Sequence, residues 1–223
     1  MKRVFFALFL AIISTIFVAA QNATADYTKT EFYIGYSNGQ VDNSGNMSAG
    51  GLSTFFSDRA NFNGVEGSGV YNFSRYFGIK ADVSGAYRRE HFAATFASPI
   101  NGTTTTLAGD TNLSLYNALG GIQIKDNSTD KKFKPFAHAM VGVAHFRTAV
   151  KDFTCSPAAN CGQMSFANQT FSDTQAAGAF GGGIDVRLND RFDLRVVQAD
   201  YNPVWTGDGT AHNFRFGFGI VIK

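Results

Sequence analysis

Strict alternation between large apolar residues and small or polar residues runs through the end of the chain, from His212 to Lys223. One set of alternate positions holds Phe214, Phe216, Phe218, Ile220 and Ile222, and the other holds Asn213, Arg215, Gly217, Gly219 and Val221. Successive side chains of a strand point to opposite faces, so this strand has one bulky apolar face and one small or polar face. An apolar face toward lipid and a polar face toward a narrow interior are typical of a transmembrane β-barrel.

The same two-residue period recurs in eight segments separated by turns. These are Thr30–Val41, Phe62–Phe73, Phe77–Phe92, Asn112–Lys125, Phe133–Arg147, Gln175–Leu188, Arg191–Trp205 and His212–Lys223. Each is long enough for the roughly 9–11 residues that a tilted membrane strand needs.

The connections between these segments alternate in length. Long polar links follow the odd segments, at Asp42–Asn61, Ala93–Thr111, Thr148–Thr174 and Thr206–Ala211. Short links follow the even ones, at Ser74–Tyr76, Asp126–Lys132 and Asn189–Asp190. Outer-membrane barrels have short periplasmic turns and longer outside loops. The sequence therefore predicts an all-β, eight-stranded antiparallel up-and-down transmembrane β-barrel in the bacterial outer membrane, with both termini on the periplasmic side.

The N-terminal residues predict an export signal. Lys2 and Arg3 precede an apolar run from Val4 to Val18, and small-residue cleavage sites end at Ala20 and Ala25. We expect residues 1–25 to be a signal peptide, cleaved after one of these two alanines, and residues 26–223 to form the barrel domain. A transmembrane anchor is disfavoured because the run is shorter than the roughly 20 residues that a spanning helix needs.

The two cysteines, Cys155 and Cys161, lie in the third predicted outside loop. An exported chain meets an oxidising compartment, so we expect a disulfide between them, with free thiols as the alternative. No His or Cys neighbour supports a metal site, and we expect no cofactor. The formal net charge of +2 gives no electrostatic argument for a nucleic-acid partner.

Charges of both signs fall on the predicted inward faces. They are Glu66, Lys80, Asp82, Arg88, Lys125, Asp185, Arg187, Asp193, Arg195 and Arg215. Unpaired charges are costly to bury, so we expect a paired network that plugs the lumen, with a gated ion path as the alternative. An eight-stranded interior is only just wide enough for its own side chains, which disfavours a general pore.

Asp200 does not fit strict alternation, because it would face away from the side that carries Arg195. Either a bulge lies between the two residues, or Asp200 lies above the bilayer. We favour the second interpretation, with a hydrogen-bonding role at the rim.

Three histidines, His91, His145 and His212, fall near the predicted outer ends of strands. With loop serines such as Ser165 or Ser172 they suggest a hydrolase site at the rim. Nucleophilic catalysis needs a base and an orienting group at fixed positions, and no motif here supplies them. We therefore do not expect an enzyme.

Several segments together resemble the small outer-membrane β-barrel proteins related to the outer-membrane protein A barrel. The resemblance lies in residues 64–87, 134–144 and 181–201 and in the closing strand. Within that strand Arg215, Gly217, Ile220 and Ile222 match the assembly signal of such proteins, although Lys223 replaces the usual terminal aromatic residue. The resemblance implies outer-membrane lipid and the outer-membrane insertion machinery as partners.

We therefore predict an integral outer-membrane protein, monomeric, with a structural or surface-interaction role through its external loops. The alternatives are a small-solute or ion pore, a membrane-embedded lipid-modifying enzyme and a soluble lipocalin-like carrier. In the carrier, the bulky apolar faces would point inward and the charged faces outward.

Overall fold

The computed structural model describes residues 27–42, 59–97, 104–156, 169–207 and 209–223. The predicted signal peptide lies outside these residues and stays a prediction. Within the described ranges, no helix is long and apolar enough to cross a membrane.

Eight antiparallel strands close into one barrel. They are β1 (Thr30–Asp42), β2 (Arg59–Asn72), β3 (Phe77–Ala97), β4 (Thr104–Lys125), β5 (Phe133–Ser156), β6 (Gln169–Arg187), β7 (Phe192–Thr206) and β8 (Gly209–Ile222). Each strand pairs with its neighbours in sequence, and β1 pairs with β8 to complete the ring. The predicted fold is confirmed.

The middle four strands are longer than the sequence pattern predicts. The predicted loops Ala93–Thr111 and Thr148–Thr174 are largely strand, because β3 pairs with β4 as far as Ala97 and β5 pairs with β6 as far as Val150. These additions are rich in threonine, which suits strands. They lack the apolar outward face of a membrane strand, so the alternating pattern stops before the strands themselves end.

Side-chain hydrogen bonds fix the short periplasmic turns. In the β2–β3 turn, the Ser74 hydroxyl accepts the Phe77 amide at 3.0 Å. In the β6–β7 turn, the Asn189 side-chain oxygen accepts the amides of Arg191 and Phe192, both at 2.9 Å. These are the local bonds that let Ser and Asn form tight turns.

The lower part of the barrel, up to the level of Tyr87, has apolar side chains outside and polar ones inside. Val83, for example, is exposed on the outer face while its neighbours Asp82 and Ser84 are buried in the interior. On the closing strand, Phe216 and Phe218 are exposed, whereas the alternate residues Arg215 and Gly217 are buried. This arrangement is the reverse of a soluble barrel and requires an apolar solvent around the wall.

A β-bulge in β7 corrects the prediction for Asp200. Val196 and Val197 are both exposed, and the pairing with β8 moves directly from Arg195–Gly219 to Gln198–Gly217. The extra residue reverses the parity of the strand and turns Gln198, Asp200 and Asn202 inward. Asp200 is therefore a buried residue of the lumen, and its predicted place above the bilayer is wrong.

The upper ends of β3–β6, which we call the outer extension, reverse the polarity of the wall. Arg89 and His91 follow Tyr87 on the outward face, and their side chains are 67% and 69% exposed. On the inward face, the rings of Phe92 and Phe153 lie 5.8 Å apart. A bulge at Asp152, with a φ of 51°, turns Phe153 to this side.

Candidate functional site: closed lumen and outer extension

Among the residues that the structure describes, the lumen holds six carboxylates and six cations. The carboxylates are Glu31, Glu66, Asp82, Asp185, Asp193 and Asp200, and the cations are Lys80, Lys125, Lys134, Arg195, Arg215 and Lys223. All are buried except Lys223, which is partly buried at the periplasmic end. Buried charges are stable in a protein only when they are paired and hydrogen-bonded.

Arg215 is the centre of the upper charge cluster. Its guanidinium donates to Asp82 at 2.8 Å and to Asp200 at 2.7 Å and 3.1 Å. Its Nε also lies 3.6 Å from Glu66 Oε2. One cation thus joins side chains from β2, β3, β7 and β8, and this makes it a cross-brace of the barrel.

His138 extends the upper cluster toward β5. Its Nε2 lies 2.8 Å from Asp200 Oδ1, and its Nδ1 lies 3.3 Å from Lys80 Nζ. Lys80 Nζ is also 4.0 Å from Asp82 Oδ2. The histidine therefore bridges an anion and a cation inside the lumen.

Asp185 is the centre of the lower cluster. It accepts a two-point bond from Arg195, at 2.8 Å and 3.1 Å, and one from Lys125 Nζ at 2.8 Å. Lys125 also donates to both oxygens of Glu31, at 2.8 Å and 2.9 Å. Two-point arginine–carboxylate bonds are strong and directional, so this cluster is well fixed.

Gln198 connects the two clusters. Its oxygen accepts Arg195 Nη1 at 2.7 Å, and its Nε2 donates to Glu66 and Asp200, both at 2.8 Å. The bulge in β7 is what brings this amide into the lumen. The upper and lower clusters consequently form one continuous network.

Two aromatic rings hold the Arg195 guanidinium between the clusters. The guanidinium carbon lies 4.3 Å from the centre of the Tyr33 ring and 4.1 Å from that of Phe136. Cation–π contacts of this kind are strongest where water is excluded.

Asp193 pairs with two lysines at the periplasmic end of the lumen. Its oxygens lie 3.4 Å from Lys134 Nζ and 2.6 Å from Lys223 Nζ. Ile222 is therefore the last outward apolar residue of the closing strand, and Lys223 turns inward to complete the charge balance.

Two residues predicted for the network lie outside it. Arg88 is half-buried above the network and pairs with Glu90. Arg187 bonds to Asp190 and to the carbonyl of Thr129 at the periplasmic turns. Both occupy inward positions of the alternation, but the strands carry them past the ends of the buried zone.

Six residues of the lumen lie outside the predicted set: Glu31, Lys134, His138, Gln198, Asp200 and Lys223. Glu31 and Lys134 precede aromatic residues at strand starts, and simple alternation from Tyr33 and Phe136 would have placed them inward. Asp200 and Gln198 gave no such signal, because the bulge is not visible in the alternation.

An apolar plug closes the lumen above the charges. It consists of Leu115, Leu119, Met140, Ala144, Ala177, Ala179 and Val204. Met140 and Val204 have no exposed surface. The described lumen is thus filled by paired charges below and by alkyl groups above, which is the closed interior expected for eight strands.

The predicted rim histidines lie in different places. His91 Nδ1 is 3.0 Å from Asp110 Oδ1, His145 Nδ1 is 2.7 Å from Thr174 Oγ1, and His212 Nδ1 is 2.5 Å from the Tyr201 hydroxyl. Each lies on a different pair of strands. Ser165 lies outside the described residues, which also contain no cluster of three or more His, Cys, Asp or Glu side chains suited to a metal ion.

The disulfide stays a prediction. Cys155 lies at the upper end of β5, and Cys161 lies outside the described residues.

Cationic side chains mark the outward face of the outer extension. Arg147, Arg89 and Lys151 occupy three successive outward levels, opposite Ser114, Asn112 and Asp110 of β4. Asp110 accepts from Arg89 and lies beside His91. Asp152, also exposed, acts electrostatically on Arg89, so three cations share this surface with two carboxylates.

A row of rings separates this polar surface from the apolar wall. The rings of Tyr87 and Tyr116 lie 5.7 Å apart and edge-on, and Tyr116 lies 6.4 Å from His145. Aromatic rings with polar tips favour the membrane–water interface. This row marks the outer boundary of the bilayer on strands β3–β5.

Among groups outside the membrane, Asp126 has the clearest pKa shift. Its partial burial raises the pKa, but bonds from Arg75 at 3.1 Å and the Ser128 amide at 3.2 Å outweigh that and lower it to about 2. This carboxylate links the β2–β3 and β4–β5 turns on the periplasmic side.

The apolar outer wall, the paired charges within and the short turns at one end define an integral outer-membrane β-barrel protein. The chain belongs to the outer membrane protein beta-barrel domain family, whose model matches residues 9–221. Its place is therefore the bacterial outer membrane, in contact with outer-membrane lipid. The soluble-carrier alternative is not supported, because the apolar faces point outward.

Solved structures share this fold at low sequence identity. One is Ail, the attachment invasion locus protein of Yersinia pestis, at 16% identity and a TM-score of 0.50, covering 86% of this chain and 97% of Ail. Another is Neisserial surface protein A, at 11% identity and a TM-score of 0.53, covering 89% of this chain and 99% of that protein. A search of curated protein sequences finds no match to the chain.

Proposed function

We propose that this protein is a surface-interaction barrel, whose outer extension and external loops bind polyanions on other surfaces. The observation that carries the proposal is the set of cations on the outward face of the extension. Arg89, Arg147 and Lys151 lie beyond the aromatic row that bounds the bilayer, so a ligand outside the cell can reach them.

The lumen supports a binding role over a pore. Its charges are paired with one another across the barrel, and the apolar plug lies above them. Conduction would require both layers to open. The wall therefore acts as a rigid support, on which loops and strand ends carry the specificity.

The chemistry of the face favours sulfated or phosphorylated ligands. Arginine forms two-point bonds with such groups, and lysine contributes a point charge. Ail was solved in complex with the heparin analogue sucrose octasulfate, which makes that compound a suitable first probe.

The test uses the full protein in lipid nanodiscs, titrated with sucrose octasulfate at low salt. Changing Arg89, Arg147 and Lys151 together to Gln should weaken binding about tenfold, because exposed charge pairs contribute about 0.2–1 kcal/mol each. The matched control changes Lys131, Lys132 and Arg191 to Gln at the periplasmic end, with the same loss of charge. Equal weakening by both triple variants, or no saturable binding by the unaltered protein, would refute the proposal.

We also propose that the barrel is an exported monomer, inserted through its closing strand. Arg215, Gly217, Ile220 and Ile222 match the assembly signal, and the two cleavage sites precede the first strand. Changing Ile220 and Ile222 to Ser should reduce the amount of heat-modifiable protein in the outer membrane. N-terminal sequencing of that protein distinguishes cleavage at Ala20 from cleavage at Ala25.

A further inference from the structure

A cavity of about 150 Å³ lies at the outer mouth of the lumen. Most of its lining is apolar and comes from both sides of the barrel: Val41, Ala60, Phe62, Leu113 and Phe146. Glu90, Ser114, Arg147 and Thr148 supply the rest of the lining. Arg147 is the one lining residue that also belongs to the cationic face proposed to bind polyanions.

The apolar plug forms the floor of the cavity. Val41 and Phe146 line the cavity and also pack against the plug. A molecule that enters from outside therefore meets a closed end, and the charged network lies below that end. The cavity is a pocket and not the entrance of a channel.

The lining favours an apolar ligand over water. The side chains of Phe62, Leu113 and Phe146 offer a water molecule no hydrogen-bond partner, and apolar cavities of about this size take up benzene or xenon. Glu90 is engaged with Arg88, so its charge is partly compensated. The volume admits one ring and excludes a peptide or a sugar chain.

We propose that this pocket binds a small uncharged apolar molecule, of the size of a single aromatic ring or a short alkyl chain. The ligand lies against Phe62 and Phe146, with the plug beneath it. This site shares only Arg147 with the cationic outer face, so variants that fill the pocket from Ala60 or Thr148 test it independently of the polyanion proposal.

The test is methyl NMR on the full protein in lipid nanodiscs, titrated with toluene. The methyl signals of Val41 and Leu113 should shift and saturate. Val83, which faces lipid, reports toluene dissolved in the bilayer, and its methyl signals should shift linearly without saturation.

Cavity-filling variants make the test specific. Ala60→Phe should weaken the saturable shift of the Leu113 methyls at least tenfold, and Ala81→Phe on the lipid face should leave it unchanged. Thr148→Phe fills the same space from β5 and serves if Ala60→Phe fails to fold, as judged by heat-modifiable gel mobility. Linear shifts at every methyl, or a saturable shift that survives in a folded filled variant, would overturn the proposal.

Discussion

Strand β3 carries two opposite kinds of surface along one chain. Below Tyr87 its outward side chains are apolar and its inward ones are polar, as at Val83 and Asp82. Beyond Tyr87 the outward side holds Arg89, and the inward side holds the Arg88–Glu90 pair and then Phe92. The backbone pairing with β4 is continuous through both parts.

The contrast shows that the surrounding solvent, and not the geometry of the strand, determines which face carries the apolar side chains. In the bilayer an outward charge has no partner, so charges gather inside and must pair. Above the bilayer water solvates the outward charges, and apolar groups pack inward as in a soluble protein. The same kind of substitution is therefore expected to change stability by different amounts within the bilayer and above it.

The largest difference is expected for arginine. Arg215→Ala should lower the free energy of unfolding by about 3–5 kcal/mol, because it removes the cation that three buried carboxylates share. Arg89→Ala in the outer extension should leave the free energy of unfolding almost unchanged, because water solvates this exposed side chain. Denaturant unfolding in lipid vesicles, followed by gel mobility, measures both, and equal costs would contradict the division.

A new outward charge tests the same boundary on a single strand. Val83→Arg should cost about 2–4 kcal/mol, the range for arginine on the lipid face near the middle of the bilayer. Thr95→Arg lies on the same face of β3 above the membrane and should change stability by about 0.5 kcal/mol or less. A high cost at Thr95 would move the boundary above the aromatic row.

Truncated leucines compare the plug with the lipid-facing wall. Leu119→Ala should cost about 2–3 kcal/mol, since it leaves a cavity among packed side chains. Leu194→Ala on the outer wall should cost about 1 kcal/mol or less, because lipid tails are as apolar as leucine and fill the space. Similar costs at the two positions would mean that the plug is loosely packed.

The smallest effect concerns the periplasmic turns, which lie in water like the outer extension. The pKa of Asp126 is lowered to about 2, so the folded protein binds its proton less readily than the unfolded chain. Its carboxylate therefore stabilises the turns above about pH 4, and that contribution is lost as the pH falls toward about 2. The difference in unfolding midpoint between the wild type and Asp126→Asn should shrink over this range. A difference independent of pH would contradict the assigned role.

The alternation of residues was enough to predict the strands within the bilayer, because there one face must be apolar at every second position. It was not enough for the outer extension. There the faces exchange roles, and Arg89 to Ala97 no longer match a membrane strand. The ends of β3–β6 therefore lay in predicted loops.

The candidate site was predictable wherever alternation holds. Glu66, Asp82, Asp185, Arg195 and Arg215 lie in the lumen network, as the parity of their strands indicates. The alternation gives the face on which a residue lies, but not its height along the barrel. Arg88 and Arg187 were therefore predicted in the lumen network, although they lie beyond its two ends. It also fails at a bulge, which adds one residue without a change of composition, and Asp200 was misplaced for that reason.

The pairing of β1 with β8 has a consequence for the order of events in assembly. Phe32 pairs with Ile222, so one edge of β1 stays unpaired until β8 has formed. Pairings between residues so distant in sequence form slowly. The ring therefore cannot close until translation and export have delivered the whole chain, and for that interval β1 keeps an unpaired edge. A partner that shields such an edge would have to recognise an unfinished protein, and would have to leave when the final residues arrive.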